Sequence, residues 1–402
     1  MRKKSHKHLR KIVLILVIFI LILLVGAGLI DYRYGMEKKA FYEGKMKYAE
    51  LILEREKQWI RMNQGTDGEI YLYEKRTDNE GNVNPYFACQ AAMGLLAGTV
   101  DQSDLDRVEG YLKWHISKLL LNGGEIPDYE MQDGVLVSSG KYDSIDSYLA
   151  LFLTLLCTYA EKGGNLSELE NCYEAILLCR GKFEEIINDG LTMALKEREI
   201  YYLMDNVEVF EAYRNMARLF SENETAIKWP DSKELYTWFS QAALESRMAI
   251  ERKLWNEKEK RFEVGLKQGG EAFGFLGWEE FYPPAVAQVF SAACGFYLPD
   301  MEQVRELYDR LCEHYSWEEM NIPDQTFDWS VLSYIAIQLE DIERTEKFIE
   351  AYSLKYDSSR EYPLHVAEAA WVARTCNKLI EMYKAEMDKN FFKEYIIEAV
   401  GL

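Results

Sequence analysis

Carboxylates are the residues in this chain whose placement could do chemistry. They gather where charge-free stretches begin: Asp143 and Asp146 in KYDSIDSYLALFL, Asp205 and Glu208 in YYLMDNVEVFEAY, Glu279 and Glu280 in GWEEFYPPAVAQ, Asp324 and Asp328 in PDQTFDWSVL. Two carboxyl groups whose surroundings split their pKa values can act as acid and base in one reaction. Asp143 and Asp146 stand three residues apart, which on a helix puts them on one face. Asp143, Asp146, Asp205 and Glu280 are therefore the catalytic candidates. The competing reading is helix capping, for which Asp is a preferred residue; a cap accounts for one of Asp143 and Asp146 but hardly for both. Aromatic residues keep these acids company: Tyr86, Tyr142, Trp278, Tyr282, Trp329 and Trp371. Their flat faces suit stacking on sugar rings as well as core packing. These six, with Glu208, Asp328 and His365, are the candidate ligand-binding residues.

Rival chemistries lack their residues. Beyond the N-terminal segment stand three histidines, His115 and His314 on charged stretches and His365 at the start of a charge-free one. They offer little to a His-based metal site or a Ser-His-Asp triad. No G-x-x-x-x-G-K or G-x-G-x-x-G occurs, so neither cofactor nor metal is expected. The seven cysteines form an odd set without C-x-x-C, mostly among apolar residues at helical spacing, and read as buried free thiols.

The elements that must position the acids follow from an alternation. Pro85–Gly98, Ser147–Cys157, Pro283–Tyr297 and Trp329–Gln338 carry no charge, and Leu364–Ala373 carries only Glu368. Such helices are buried all round. A sixth, Asn206–Leu219, adds Glu208, Glu211, Arg214 and Arg218. Between them Met36–Glu56, Ser103–Leu121, Leu166–Ile187, Ser232–Leu254, Glu302–Tyr315 and Asp341–Tyr356 mix charged and apolar residues three and four apart, the mark of one wet face. Twelve helices, alternately buried and amphipathic, make an inner ring covered by an outer ring: an all-α (α/α)6 barrel of six hairpins. Segments rich in Gly, Asp and aromatics lead into the first, second and fourth inner helices. EIPDYEMQDGVLVSSG and RFEVGLKQGGEAFGFLGW read as short hairpins on Asp-Gly and Gly-Gly turns, and EIYLYE with DNEGN reads likewise. Long loops sharing one rim are where a site is expected.

Residues 12–30, IVLILVIFILILLVGAGLI, form an uncharged run spanning roughly 28 Å as a helix at about 1.5 Å per residue, enough for one bilayer crossing. The basic tail 1–11 should stay cytoplasmic and leave a domain of residues 36–402 outside, a signal-anchor topology. A cleaved signal peptide ending near Val25-Gly26-Ala27 is the rival. The chain carries 47 basic and 67 acidic residues, net −20; Arg2, Lys3, Lys4, Lys7, Arg10 and Lys11 precede the first acid, so the rest stands at −26 (41 basic against 67 acidic). A surface so acidic repels polyanions, and nucleic acid is excluded as a partner.

Taken together, YDSIDSYLALFLTLL, LMDNVEVFEAYRNMA and WEEFYPPAVAQVF at the second to fourth inner helices resemble the six-hairpin glycosidase superfamily, over about residues 40–390. The resemblance implies an extracytoplasmic carbohydrate-active protein that cleaves glycosidic bonds at one barrel end with Asp or Glu. Glycoside hydrolase family eight, distantly similar, places a Glu general acid at the first inner helix and Asp-x-Asp near a later one. This chain has Asn84-Pro85-Tyr86 and Asp143-Ser144-Ile145-Asp146 there. The expectation is a membrane-anchored inverting glycoside hydrolase acting on a neutral or partly cationic polysaccharide. A non-catalytic glycan-binding protein and a helical scaffold for protein partners are the alternatives.

Overall fold

The computed structural model describes residues 2–74, 81–195, 199–222, 229–298 and 301–388, without the side chains of 2–10, 12, 13, 20, 21, 23–25, 27–31 and 222. Its described α-helices are α1 (Arg2–Met62), α2 (Pro85–Leu95), α3 (Gln102–Leu121), α4 (Ile145–Glu161), α5 (Cys172–Ile186), α6 (Leu203–Glu222), α7 (Ser232–Ala249), α8 (Val286–Phe290), α9 (Met301–His314), α10 (Val331–Gln338), α11 (Ile342–Lys355) and α12 (Val366–Asp388). By contact the chain divides into two compact units, Met1–Leu51 with Lys378–Leu402, and Ile52–Asn377.

In the first unit, Lys38 pairs with Glu386 at 3.9 Å and the rings of Tyr42 and Tyr383 lie 5.7 Å apart. The apolar run 12–30 falls in α1, and part of it lies outside the described side chains. Among the described residues no helix is long and apolar enough to cross a membrane.

In the second unit the even-numbered helices are the buried ones. α4 packs between α2 and α6, and α8 between α6 and α10. Ser333 on α10 meets Thr375 on α12 at 3.0 Å, and α12 meets α2 where Arg374 donates to Gln90 at 3.2 Å. The ring therefore closes. Its seam is tight: a Cβ on Gly94 would sit 2.6 Å from Ala370 Cβ, so only glycine lets α2 and α12 approach this closely. The odd-numbered helices α3 to α11 bury one stripe each, such as Val304, Leu307, Tyr308 and Leu311 of α9. This is the alternation of charge-free and amphipathic stretches written into the chain.

Local chemistry starts the helices. Asn84 caps α2 by accepting from Phe87 N, with Pro85 in the first turn, while Asp101 and Asp341 cap α3 and α11. The fourth inner stretch departs from expectation. Pro283 and Pro284 remove two N–H donors, Tyr282 is extended (φ −127°, ψ 134°), and regular helix is confined to Val286–Phe290. Gly295 (φ 63°) turns the chain, and Arg214 Nη1 caps its carbonyl at 2.9 Å.

The Asp-Gly hairpin is present: Tyr129–Gln132 pairs with Val135–Ser138 across Asp133 (φ 52°) and Gly134 (φ 78°), the positive φ pair a tight two-residue turn needs. Gly265–Leu266 pairs with Ala272–Phe273 around Gly269 and Gly270. Each hairpin also takes a strand from a neighbouring entrance, Asn82–Val83 in the first case and Tyr201–Tyr202 in the second. Val366 N donates to Leu72 O, joining the entrance of α12 to the segment before α2. These pairings stitch one rim, at the N-terminal ends of the inner helices. The EIYLYE segment makes an isolated bridge, Gln64 to Ile70, and joins DNEGN where Leu72 N donates to Asn82 O at 2.7 Å; residues 75–80 between them lie outside the described residues.

Candidate functional site

The inner helices open at this rim onto a cavity of about 530 Å³. Of the sequence candidates, Asp143, Asp205, Tyr86, Tyr282, Trp329, His365 and Trp371 line it. Asp146 and Glu208 are buried in its wall, at 0% and 2% exposure. Asp328 is buried elsewhere, bound by Lys355 Nζ and Tyr356 Oη at 2.6 Å each. Glu280, Tyr142 and Trp278 lie outside: Glu280 is exposed, Tyr142 donates to Glu125 at 3.4 Å, and Trp278 packs beside His314 and Phe275.

The expected pairing of Asp143 with Asp146 on one helical face does not form. α4 begins at Ile145 and Ser144 is extended (φ −152°, ψ 128°), so Asp143 precedes the helix and the three-residue rule does not reach it. Asp143 lines the cavity while Asp146 turns inward. Nor are these acids caps: Ser144 is the N-cap residue of α4 and makes no capping bond.

Ser144 instead joins two carboxyls. Its Oγ lies 2.5 Å from Asp146 Oδ1 and 2.9 Å from Asp205 Oδ2. A serine hydroxyl carries one proton, so two contacts to carboxyl oxygens require a second proton on one of the acids. Asp146 also accepts from Ser147 N at 3.0 Å and Thr192 Oγ1 at 2.7 Å. Among the described residues Asp205 has only Ser144. Burial raises both pKa values, but the three donors on Asp146 oppose the rise, whereas the charge of Asp146 adds to it at Asp205 and takes it well above the carboxylate range. The second proton therefore sits on Asp205, which lines the cavity and donates from Oδ2 to Ser144 Oγ, while the Ser144 proton goes to Asp146.

Other wall contacts fix the phenols. Tyr86 Oη donates to Glu208 Oε1 at 2.7 Å, and burial raises Glu208 well above its usual range. Tyr148 Oη donates to Asp128 Oδ1 at 2.9 Å and accepts from Asn84 Nδ2 at 2.8 Å. On the opposite side Trp329 adopts φ 56°, a strained conformation for a bulky residue. Glu368 holds it there, accepting from Trp329 N at 3.2 Å and Ser330 N at 2.7 Å, while Asp324 accepts from Trp329 Nε1 at 3.1 Å. Burial and the nearby Asp328 raise Glu368 to about 7. His365 is enclosed by Phe87 and Phe327, and burial lowers it to about 3, so it is neutral.

Phe87, Tyr148, Tyr202, Phe327 and Glu368 also line the cavity and were not singled out from the sequence. Phe87 and Tyr148 belong to charge-free runs, where periodicity cannot tell a lining aromatic from a core one. Proximity to Asn84 and Asp143 was the signal that could have found them. Among the described residues no cluster of His, Cys, Asp and Glu has the arrangement of a metal site, and the seven cysteines are free.

No protein-family model matches the chain, and no curated protein matches it by sequence. Solved structures do match. A wild-type glycosidase superposes with TM-score 0.55 at 12% identity, covering 86% of this chain and 98% of its own. A variant glycosidase in complex with glucose gives TM-score 0.54 at the same identity and coverage. The chain thus shares the helical-hairpin fold of these glycosidases, the fold that the superfamily resemblance implied.

Proposed function

We propose that this protein is a membrane-anchored, extracytoplasmic glycoside hydrolase that works by carboxylate acid/base catalysis with inversion. Asp205 is the general acid, giving its proton to the departing glycosidic oxygen. Asp143 is the general base and draws a proton from the water that attacks the other face of the sugar. Asp146 acts through Ser144, as a charge that keeps the Asp205 proton in place. Tyr86, Tyr282, Trp329 and Trp371 supply faces for sugar rings. The observation that carries this reading is the Ser144 bridge, which leaves a protonated carboxyl in an aromatic cavity beside a second carboxyl. The shared fold supports it. The anchor rests on the 12–30 run behind a basic tail.

Digestion of a panel of bacterial polysaccharides by the full chain in detergent, followed by NMR, is expected to yield new reducing ends whose first-formed anomer is inverted. Retention at the anomeric carbon would refute the assigned roles. One observation favours a second reading, glycan binding without cleavage: at the entrance to α2 the amide of Asn84 is committed to Phe87 N and Tyr148, so that wall offers no acid. Binding of oligosaccharides with no cleavage across the panel would establish it.

A further inference from the structure

We propose that the cleft selects a hexosamine unit whose amino group is free and protonated. This rests on the reading of the cleft as a glycan site and adds the class of sugar it takes.

Charge is the first argument. Among the described residues that line the cavity, Asp143, Asp205 and Glu368 are acidic, Asp205 holding its proton, and none is lysine or arginine. The guanidinium of Arg374 lies 4.1 Å from the Trp371 ring centroid and donates to Gln90, but does not line the cavity. A uronate, sulfate or phosphate entering here would lose its water without meeting a cation, a costly burial.

Hydrogen bonding gives the second. The protons of Tyr86 and Tyr148 are committed to Glu208 and Asp128, and Asn84 already donates to Tyr148. Towards the cavity these phenols therefore offer lone pairs only. A sugar hydroxyl is both donor and acceptor, so these two phenols satisfy half of it. An ammonium has three donors and no acceptor, and matches them. Donors elsewhere in the lining, Tyr282 and the neutral His365, are left for the sugar's own oxygens, and the Asp205 proton passes to the glycosidic oxygen, which only accepts.

The third is the aromatic lining. Tyr282 and Trp329 lie 4.6 Å apart, ring centroid to centroid, and Trp371 is a further lining ring. Aromatic faces attract a cation as well as the apolar face of a sugar. Acid, lone pairs and rings converge on one ligand chemistry, a pyranose with a cationic substituent.

The test is binding, read by tryptophan fluorescence on the full chain in detergent, since Trp329 and Trp371 report on the cavity. Glucosamine, galactosamine and mannosamine are each compared with glucose, galactose and mannose, with their N-acetylated forms and with glucuronate. At least one amino sugar is expected to bind about tenfold or more tighter than both its neutral counterparts, with affinity falling as salt rises. Asp143→Asn is expected to erase most of that preference. Equal or tighter binding of the neutral sugars, binding of glucuronate, or no binding of any sugar would overturn the proposal. Amino-sugar binding without cleavage of any glycan would sink the hydrolase reading alone. Cleavage of a neutral glycan with no amino-sugar preference would sink this one alone.

Discussion

Ser144, Asp146 and Asp205 show how a wall residue sets the state of a residue that faces the cleft. Asp146 takes three donors and keeps its charge; Asp205 keeps its proton and gives it to Ser144. Glu208 is pushed the same way, with one donor, Tyr86, set against its burial. Its folded pKa lies above its unfolded one, so the folded state holds the extra proton. Stability linked to this group is therefore undiminished below the ordinary glutamate pKa and falls as pH rises toward the raised value. Glu208→Gln keeps an acceptor for Tyr86 and removes that titration. Thermal melts should show the variant gaining about 2–4 °C over the wild type near pH 8 and little or nothing at pH 4; an equal gain at both would exclude titration as the cause. The acids at the rim could be picked out from the sequence, but the bridge that sorts them could not. It depends on Ser144 being extended and on Asp205, sixty-one residues later, arriving beside it.

At the scale of elements the inner helices are where the charge-free stretches said they would be, because a helix without charge has only the interior to go to. Their ends were less legible. Pro283, Pro284 and Gly295 cut the fourth inner stretch to a short helix, and Asn171 in the left-handed region (φ 58°) starts α5 later than its apolar pattern suggested. Capping also distributed itself in a way that composition alone does not reveal: aspartates cap the outer helices α3 and α11, leaving those at the inner entrances for other work. Ring closure puts a demand on one glycine. Gly94→Ala would drive a methyl to 2.6 Å from Ala370 Cβ and should cost about 1–3 kcal/mol by overpacking. Gly181, on α5 with open space around its Cβ position, should instead gain up to about 1 kcal/mol when replaced by alanine. Urea unfolding of the pair measures both, and a neutral Gly94→Ala would mean that the seam between α2 and α12 is slack.

For the whole molecule, charge and topology act together. A chain with −26 beyond its basic tail works best on a surface or polymer that does not repel it, which agrees with a cleft that lacks lining cations. With 12–30 as an anchor, protease added to intact cells should digest the chain beyond residue 31 and leave the basic tail with the membrane; a soluble product starting near Gly28 would indicate a cleaved signal. The central claim is that Asp205 supplies the proton for glycosidic cleavage, and the most direct measurement is the rate of reducing-end release by Asp205→Asn on whichever panel polysaccharide the wild type cleaves. Asn preserves size and, through its amide N–H, a donor for Ser144, so the fold should persist, as a melt of the variant would verify. The account predicts a rate lower by about 10²–10⁴ with glycan binding retained. Cleavage by Asp205→Asn at the wild-type rate would contradict it.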